Sequence, residues 1–203
     1  MRYEYGTEEK MKRALRITLF LIVLSVVFLF CSCGERSPES LLKEFFSDIA
    51  DADAESAVSC LSDDSTVEGY VSSVSSADNI CRDVLKKVYS AVRFKIIDDA
   101  GSDPEVVVND SEKKEISVEL TYPDLLKLMS DCKSRAAVMP ASNVELVEKI
   151  ISEGKLDSYT TGAETVITVI KEDDVWKIPL SKNENGKLYD ALMLTLFAKW
   201  LVG

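Results

Sequence analysis

The sequence predicts an α+β domain in which N-terminal helices pack on an antiparallel sheet, followed by a helical insertion and an apolar C-terminal helix. Three observations carry this. Apolar residues recur at helical spacing from Leu41 onward, the period switches to alternation at Val92, and two β-rich runs flank the polar turn Glu172-Asp173-Asp174. With 203 residues, 46% hydrophobic and 29% charged, the chain is long enough for one domain with a substantial core.

Ser37-Pro38-Glu39 reads as an N-cap, a proline at the first helical position and an acid in the first turn. Leu41, Leu42, Phe45, Phe46 and Ile49 then form one apolar stripe, with Lys43, Glu44 and Asp48 outside it. Asp51 to Asp53 breaks that helix, and Ala54 to Leu61 gives a shorter one with Ala57, Val58 and Leu61 inward. The Ser-rich stretch Val71 to Asp78 reads as a loop or cap. A third helix is expected from Ile80 to Val92, with Ile80, Val84, Leu85, Val88 and Tyr89 on one side.

Val92 to Ile97 and Glu115 to Tyr122 alternate as half-buried strands, and Glu105 to Val108 adds a short strand or lies in the connection. The insertion after Pro123 holds two helical segments, one with Leu125, Leu126, Leu128 and Met129, the other from Val144 to Ile151, with Met139-Pro140 between them. Thr165 to Lys171 and Val175 to Leu180 form the hairpin. Lys187 to Val202 reads as one helix, apolar nearly all round from Ala191. It is too short to span a bilayer, so it sinks into the core or covers a groove or a partner.

Ahead of the domain, Ile17 to Cys33 carries no charge for 17 residues and follows Lys10, Lys12, Arg13 and Arg16, the layout of a secretory signal. At about 1.5 Å per residue it barely crosses a hydrocarbon core of roughly 30 Å, so an uncleaved N-terminal anchor is the alternative to a cleaved signal. The run ends in Leu29-Phe30-Cys31-Ser32-Cys33-Gly34, which resembles the lipobox of bacterial lipoproteins. That resemblance implies cleavage before Cys33 and a lipid on its thiol; Phe30 and Cys31 depart from the Leu and small residue usual in those places. Residues 1 to 32 are then a signal peptide, 33 to 37 a lipidated tether and 38 to 203 the domain. The first ten residues place three acids in front of the signal, and Glu8-Glu9-Lys10 is encoded by purines alone, as a translated ribosome-binding site would be. Synthesis is therefore expected to begin at Met11.

The formal charge is −11, and removing residues 1 to 32, with five basic and three acidic side chains, leaves −13. Nucleic-acid binding draws most of its free energy from Lys and Arg on phosphates, so none is expected. The chain contains no histidine, which excludes Ser-His-Asp and Cys-His nucleophiles and histidine-ligated zinc. No metal or cofactor site is expected: Cys31-Ser-Cys33 lacks two further ligands, Asp51-Ala-Asp53-Ala-Glu55 lacks the glycine of a calcium loop, and no phosphate-binding glycine motif occurs.

Ser40-Leu-Leu-Lys43 matches the SxxK of penicillin-binding enzymes, but so do Ser111-Lys114, Ser130-Lys133 and Ser152-Lys155, and the partner motifs are missing. Cys60 and Cys81 could close a disulfide or pack as small apolar side chains, with Cys132 left over. The pairs Asp63-Asp64, Asp98-Asp99 and Asp173-Asp174 read as solvated surface, because neighbouring acids on a strand or turn point apart.

Ser40-Leu41-Leu42-Lys43-Glu44-Phe45-Phe46 through Asp53-Ala54-Glu55-Ser56-Ala57 looks like the first helix pair of small extracytoplasmic lipoproteins in the nuclear transport factor 2-like superfamily, and Val175-Trp176-Lys177-Ile178 looks like their penultimate strand. The order of elements over residues 38 to 180 resembles that cystatin-like fold, helices on a curved, cone-like antiparallel sheet. The insertion between Tyr122 and Thr165 departs from its simplest members. If the sheet curves as the resemblance implies, Phe94, Ile96, Val118, Leu120, Tyr122, Val169 and Trp176 line its interior, as a pocket or as core. The expectation is a lipid-anchored protein on the extracytoplasmic face of the cell membrane, binding a small apolar ligand or an envelope protein. The alternative is a small cone-fold enzyme using a buried carboxylate or Tyr122.

Overall fold

The computed structural model describes residues 36–97 and 113–203. Cys33, the signal segment, Asp98-Asp99 and the short strand expected at Glu105 to Val108 lie outside the described residues. Ser37–Gly203 forms one compact unit.

The unit is α+β, with a curled four-stranded antiparallel sheet in the order β1-β2-β3-β4. Helix α1 (Pro38–Ala50) starts as the sequence predicts: Ser37 accepts from the amide of Ser40 at 3.2 Å, and Leu41, Leu42, Phe45, Phe46 and Ile49 are buried. Asp53 caps α2 (Ala54–Ser59). The chain then passes beside the end of the sheet: Leu61 bridges Ile178 in parallel, Ile178 donates to the carbonyl of Cys60 at 3.0 Å, and Thr66 donates to that of Leu180 at 2.9 Å.

The Ser-rich stretch read as a loop or cap, Val71 to Asp78, is helix over most of its length, α3 (Tyr70–Ser76), and ends in the cap Asp78. Its serines turn back on the backbone, with Ser73 Oγ donating to the Gly69 carbonyl at 2.7 Å and Ser76 Oγ to that of Ser73 at 3.0 Å. Buried Tyr70 and Val74 supply what propensity does not. Asp78 caps α4 (Asn79–Tyr89), whose buried stripe is Cys81, Val84, Leu85, Val88 and Tyr89. Ile80 was expected on that stripe but is 56% exposed, since it lies one helical step outside the i, i+3, i+4, i+7 set that Cys81 begins.

Strands β1 (Arg93–Ile96), β2 (Lys113–Pro123), β3 (Thr160–Glu172) and β4 (Val175–Lys177) pair in sequence order. The hairpin turns on Asp173 and Asp174, both at positive φ (48° and 63°), the backbone of a two-residue type I′ connection between Glu172 and Val175. The insertion is α5 (Leu125–Ala136), capped by Asp124, and α6 (Asn143–Ser152), capped by a reciprocal Ser142–Glu145 box. A 3₁₀ turn, Leu156–Tyr159, leads into β3.

The C-terminal segment is two helices, α7 (Gly186–Leu192) and α8 (Leu194–Val202), broken at Met193 with φ 42°. The apolar surface that ran all round in sequence is thereby divided: α7 lies against β2 and β3, and α8 lies against α3, α4 and α6. Tyr89, fully buried, donates its hydroxyl to the Leu192 carbonyl at 3.1 Å, satisfying an oxygen that the break leaves without an in-helix partner. Cys60, Cys81 and Cys132 are buried and form no disulfide with one another, so the packing alternative holds.

Candidate ligand-binding cleft

Strand register sets the seven expected lining residues on one face of the sheet: Phe94 pairs with Leu120, Ile96 with Val118, Tyr122 with Thr161, Val169 with Lys114 and Trp176 with Lys171. Side chains from the helices occupy the space over them. Phe46 stacks on Phe94 with centroids 4.4 Å apart, and Val118, Leu120 and Val169 are buried in the core. Phe94, Ile96, Tyr122 and Trp176 are partly buried against that core, Trp176 beneath Lys171 at 5.9 Å from its ring centre. None of the seven lines the concavities described below.

The most enclosed of those concavities lies where the C-terminal chain turns, and four separate segments build it. Thr66 and Val67 form one wall, fixed by the Thr66–Leu180 backbone bond and by Ser65 Oγ, which donates to the Ile178 carbonyl at 3.1 Å and accepts from the Leu180 amide at 2.9 Å. Leu180 and Lys182 contribute from the chain leaving β4, Leu126 from α5, and Tyr189, Asp190 and Met193 to Leu196 from the α7–α8 break. The cavity volume is about 450 Å³, within the range of small-molecule sites. Leu126 and Leu196, which line it, are 62% and 53% exposed.

Val67, Leu126, Leu180, Met193, Leu194 and Leu196 make the apolar part of the wall, and Thr66, Lys182, Tyr189, Asp190 and Thr195 bring polar groups to it. Thr195 Oγ1 is buried in it without a hydrogen-bond partner. Lys182 and Asp190 are both exposed, and no ion pair or side-chain hydrogen bond engages either among the described residues. The first turn of α8 has no side-chain cap, because Met193 occupies the N-cap position.

Two other concavities differ in character. One, of about 520 Å³, is a polar trough among Asp51 to Glu55, Val74, Ser75, Arg82 and Lys86. The other, of about 360 Å³, lies between α5 and α6 beside Arg135, Met139 and Lys149. The carboxylates of Glu44 and Asp48, one turn apart on α1, lie with the Cys60 thiol inside 4.8 Å of one another; the i, i+4 acids were legible, whereas the thiol arrives from another element.

Several groups depart from their ordinary titration. The ammonium of Lys114 holds Glu39 low, and Lys155 does the same for Glu153, while Asp53 and Glu145 are lowered by the helix-start amides and hydroxyls that they cap. Burial raises Cys132 to about 11. Burial together with the hydrogen bond that Tyr159 donates to Asp131 raises that phenol to about 12. Every carboxylate shift resolved is downward, opposite to what proton donation near neutrality requires.

The chain has no significant match to any protein-family model, curated protein or solved structure.

The sequence reading missed the cleft. Its residues are separated in sequence and meet only because α7 and α8 break at Met193, while a continuous helix was expected. The signal that pointed there was the excess of apolar residues in Lys187 to Val202 over what one buried stripe can use.

Proposed function

We propose that this is a lipid-anchored extracytoplasmic binding protein, tethered through Cys33, whose domain takes a small, largely apolar ligand in the cleft beside Met193. The cleft carries the reading: an aliphatic cavity of about 450 Å³ with two half-exposed leucines, Leu126 and Leu196, is a surface that gains free energy when covered. The signal-like run ending at Cys33 and the acidic charge of the remainder support the location. The order of elements supports kinship with the nuclear transport factor 2-like group. A binding module fits better than the cone-fold enzyme because the shifted carboxylates sit at caps and surface ion pairs.

Two measurements test this reading. Metabolic lipid labelling is expected to persist in Cys31→Ala and disappear in Cys33→Ala; unchanged labelling of Cys33→Ala overturns the anchor. The neutral fluorophore N-phenyl-1-naphthylamine is expected to brighten on the protein and to lose that signal in Leu126→Arg and Leu196→Arg, which change exposed positions. Equal brightening of both variants removes the cleft as the site.

A further inference from the structure

Resting on the reading of the cleft as a ligand site, the charge pattern of its wall points to the class of ligand, and we infer that it is a small apolar zwitterion. Lys182 and Asp190 are the two charged side chains lining the cavity, one of each sign. No salt bridge joins them and neither has another partner among the described residues. The remainder of the wall is aliphatic apart from Thr66, Tyr189 and Thr195.

A purely anionic ligand would meet Lys182 but bring its charge near Asp190, and a purely cationic one would do the reverse. A neutral ligand would gain only hydrogen bonds from them, with no charge pairing. A molecule with an apolar body and one charge of each sign is attracted to both residues while its body covers Leu126 and Leu196. A short apolar peptide with free termini and a zwitterionic lipid headgroup share this chemistry. Each charge pair at so exposed a rim contributes roughly three- to fivefold in affinity.

The test uses the full chain in nanodiscs, with empty nanodiscs subtracted, and equilibrium dialysis of four peptides of one apolar body: trileucine, its N-acetyl form, its C-terminal amide and the doubly capped form. Trileucine is expected to bind tightest, with each cap costing roughly three- to fivefold. Asp190→Asn should weaken trileucine but not the N-acetyl peptide, and Lys182→Met should weaken trileucine but not the amide. Both residues are exposed, so neither change disturbs the core. If dihexanoylphosphatidylcholine binds in place of trileucine, with the same sensitivity to both variants, the zwitterion assignment stands and the source is lipid. Four peptides within twofold of one another, or variants without effect on either zwitterion, overturn it. Failure of every zwitterion with N-phenyl-1-naphthylamine still bound overturns this inference alone, whereas failure of that neutral probe too overturns the cleft reading beneath it.

Discussion

The side-chain amide of Asn185 closes a two-way hydrogen bond with the backbone of Thr168, accepting from its N–H at 2.8 Å and donating to its carbonyl at 2.9 Å. The ladder between β3 and β4 ends at Ile170–Lys177, so Thr168 lies beyond it, and Pro179 has no N–H to extend the pairing. Asn185, the residue before α7, serves Thr168 instead, and its second N–H bonds the Pro179 carbonyl at 3.0 Å. One buried carboxamide thus ties the sheet to the start of α7 beside the cleft.

Asn185→Ala should leave a buried amide and two buried carbonyls without these bonds and lower stability by about 3 kcal/mol, near the upper end for loss of a buried network. Asn185→Asp keeps one acceptor, loses both donated bonds and should be no better. Urea unfolding midpoints check both; a loss below about 1 kcal/mol for the alanine variant contradicts this account.

Two buried phenols should respond in opposite directions. Tyr70 is fully buried and its hydroxyl has no partner, so Tyr70→Phe should stabilise by about 1 kcal/mol. Tyr89→Phe removes the bond to the Leu192 carbonyl and should destabilise by about 1 to 2 kcal/mol. The sign of each change in thermal midpoint is the readout.

Asp174 holds φ 63° in the hairpin turn, a conformation that costs an L-residue about 1 kcal/mol. Asp174→Gly should raise stability by about 0.5–1 kcal/mol without altering the far-ultraviolet spectrum. A loss of stability would mean that the Lys171–Asp174 contact at 3.8 Å matters more than the turn.

Stability should fall at both ends of the pH scale, through different groups. Glu39, Asp53, Glu145 and Glu153 have lowered native pKa values, so their contribution is present above the unfolded carboxylate range and lost as pH falls through the native values. Cys132 and Tyr159 are raised to about 11 and about 12; theirs is complete below the unfolded values and lost as pH climbs toward those figures. Denaturation midpoints from pH 2 to 11 trace both arms, and Glu145→Gln should flatten the acid arm.

What was legible in the sequence was whatever local chemistry determines. The cap of α1, the alternation of β2 and the polar turn that holds Asp173 and Asp174 need only neighbouring residues, and they formed as read. What was not legible depends on distant partners. The serines of α3 favour no helix until Tyr70 and Val74 find α8, and the break at Met193 is matched by a tyrosine hydroxyl from α4. The cleft belongs to this second class.

The parallel bridge between Leu61 and Ile178, with α8 laid over α3, sets a condition on the timing of folding. The surfaces that hold the first third of the domain come much later in the chain, so a nascent chain lacks them until those residues have emerged. High contact order of this kind slows closure. If the chain is exported as proposed, the delay keeps it threadable while the translocation machinery engages its N-terminus.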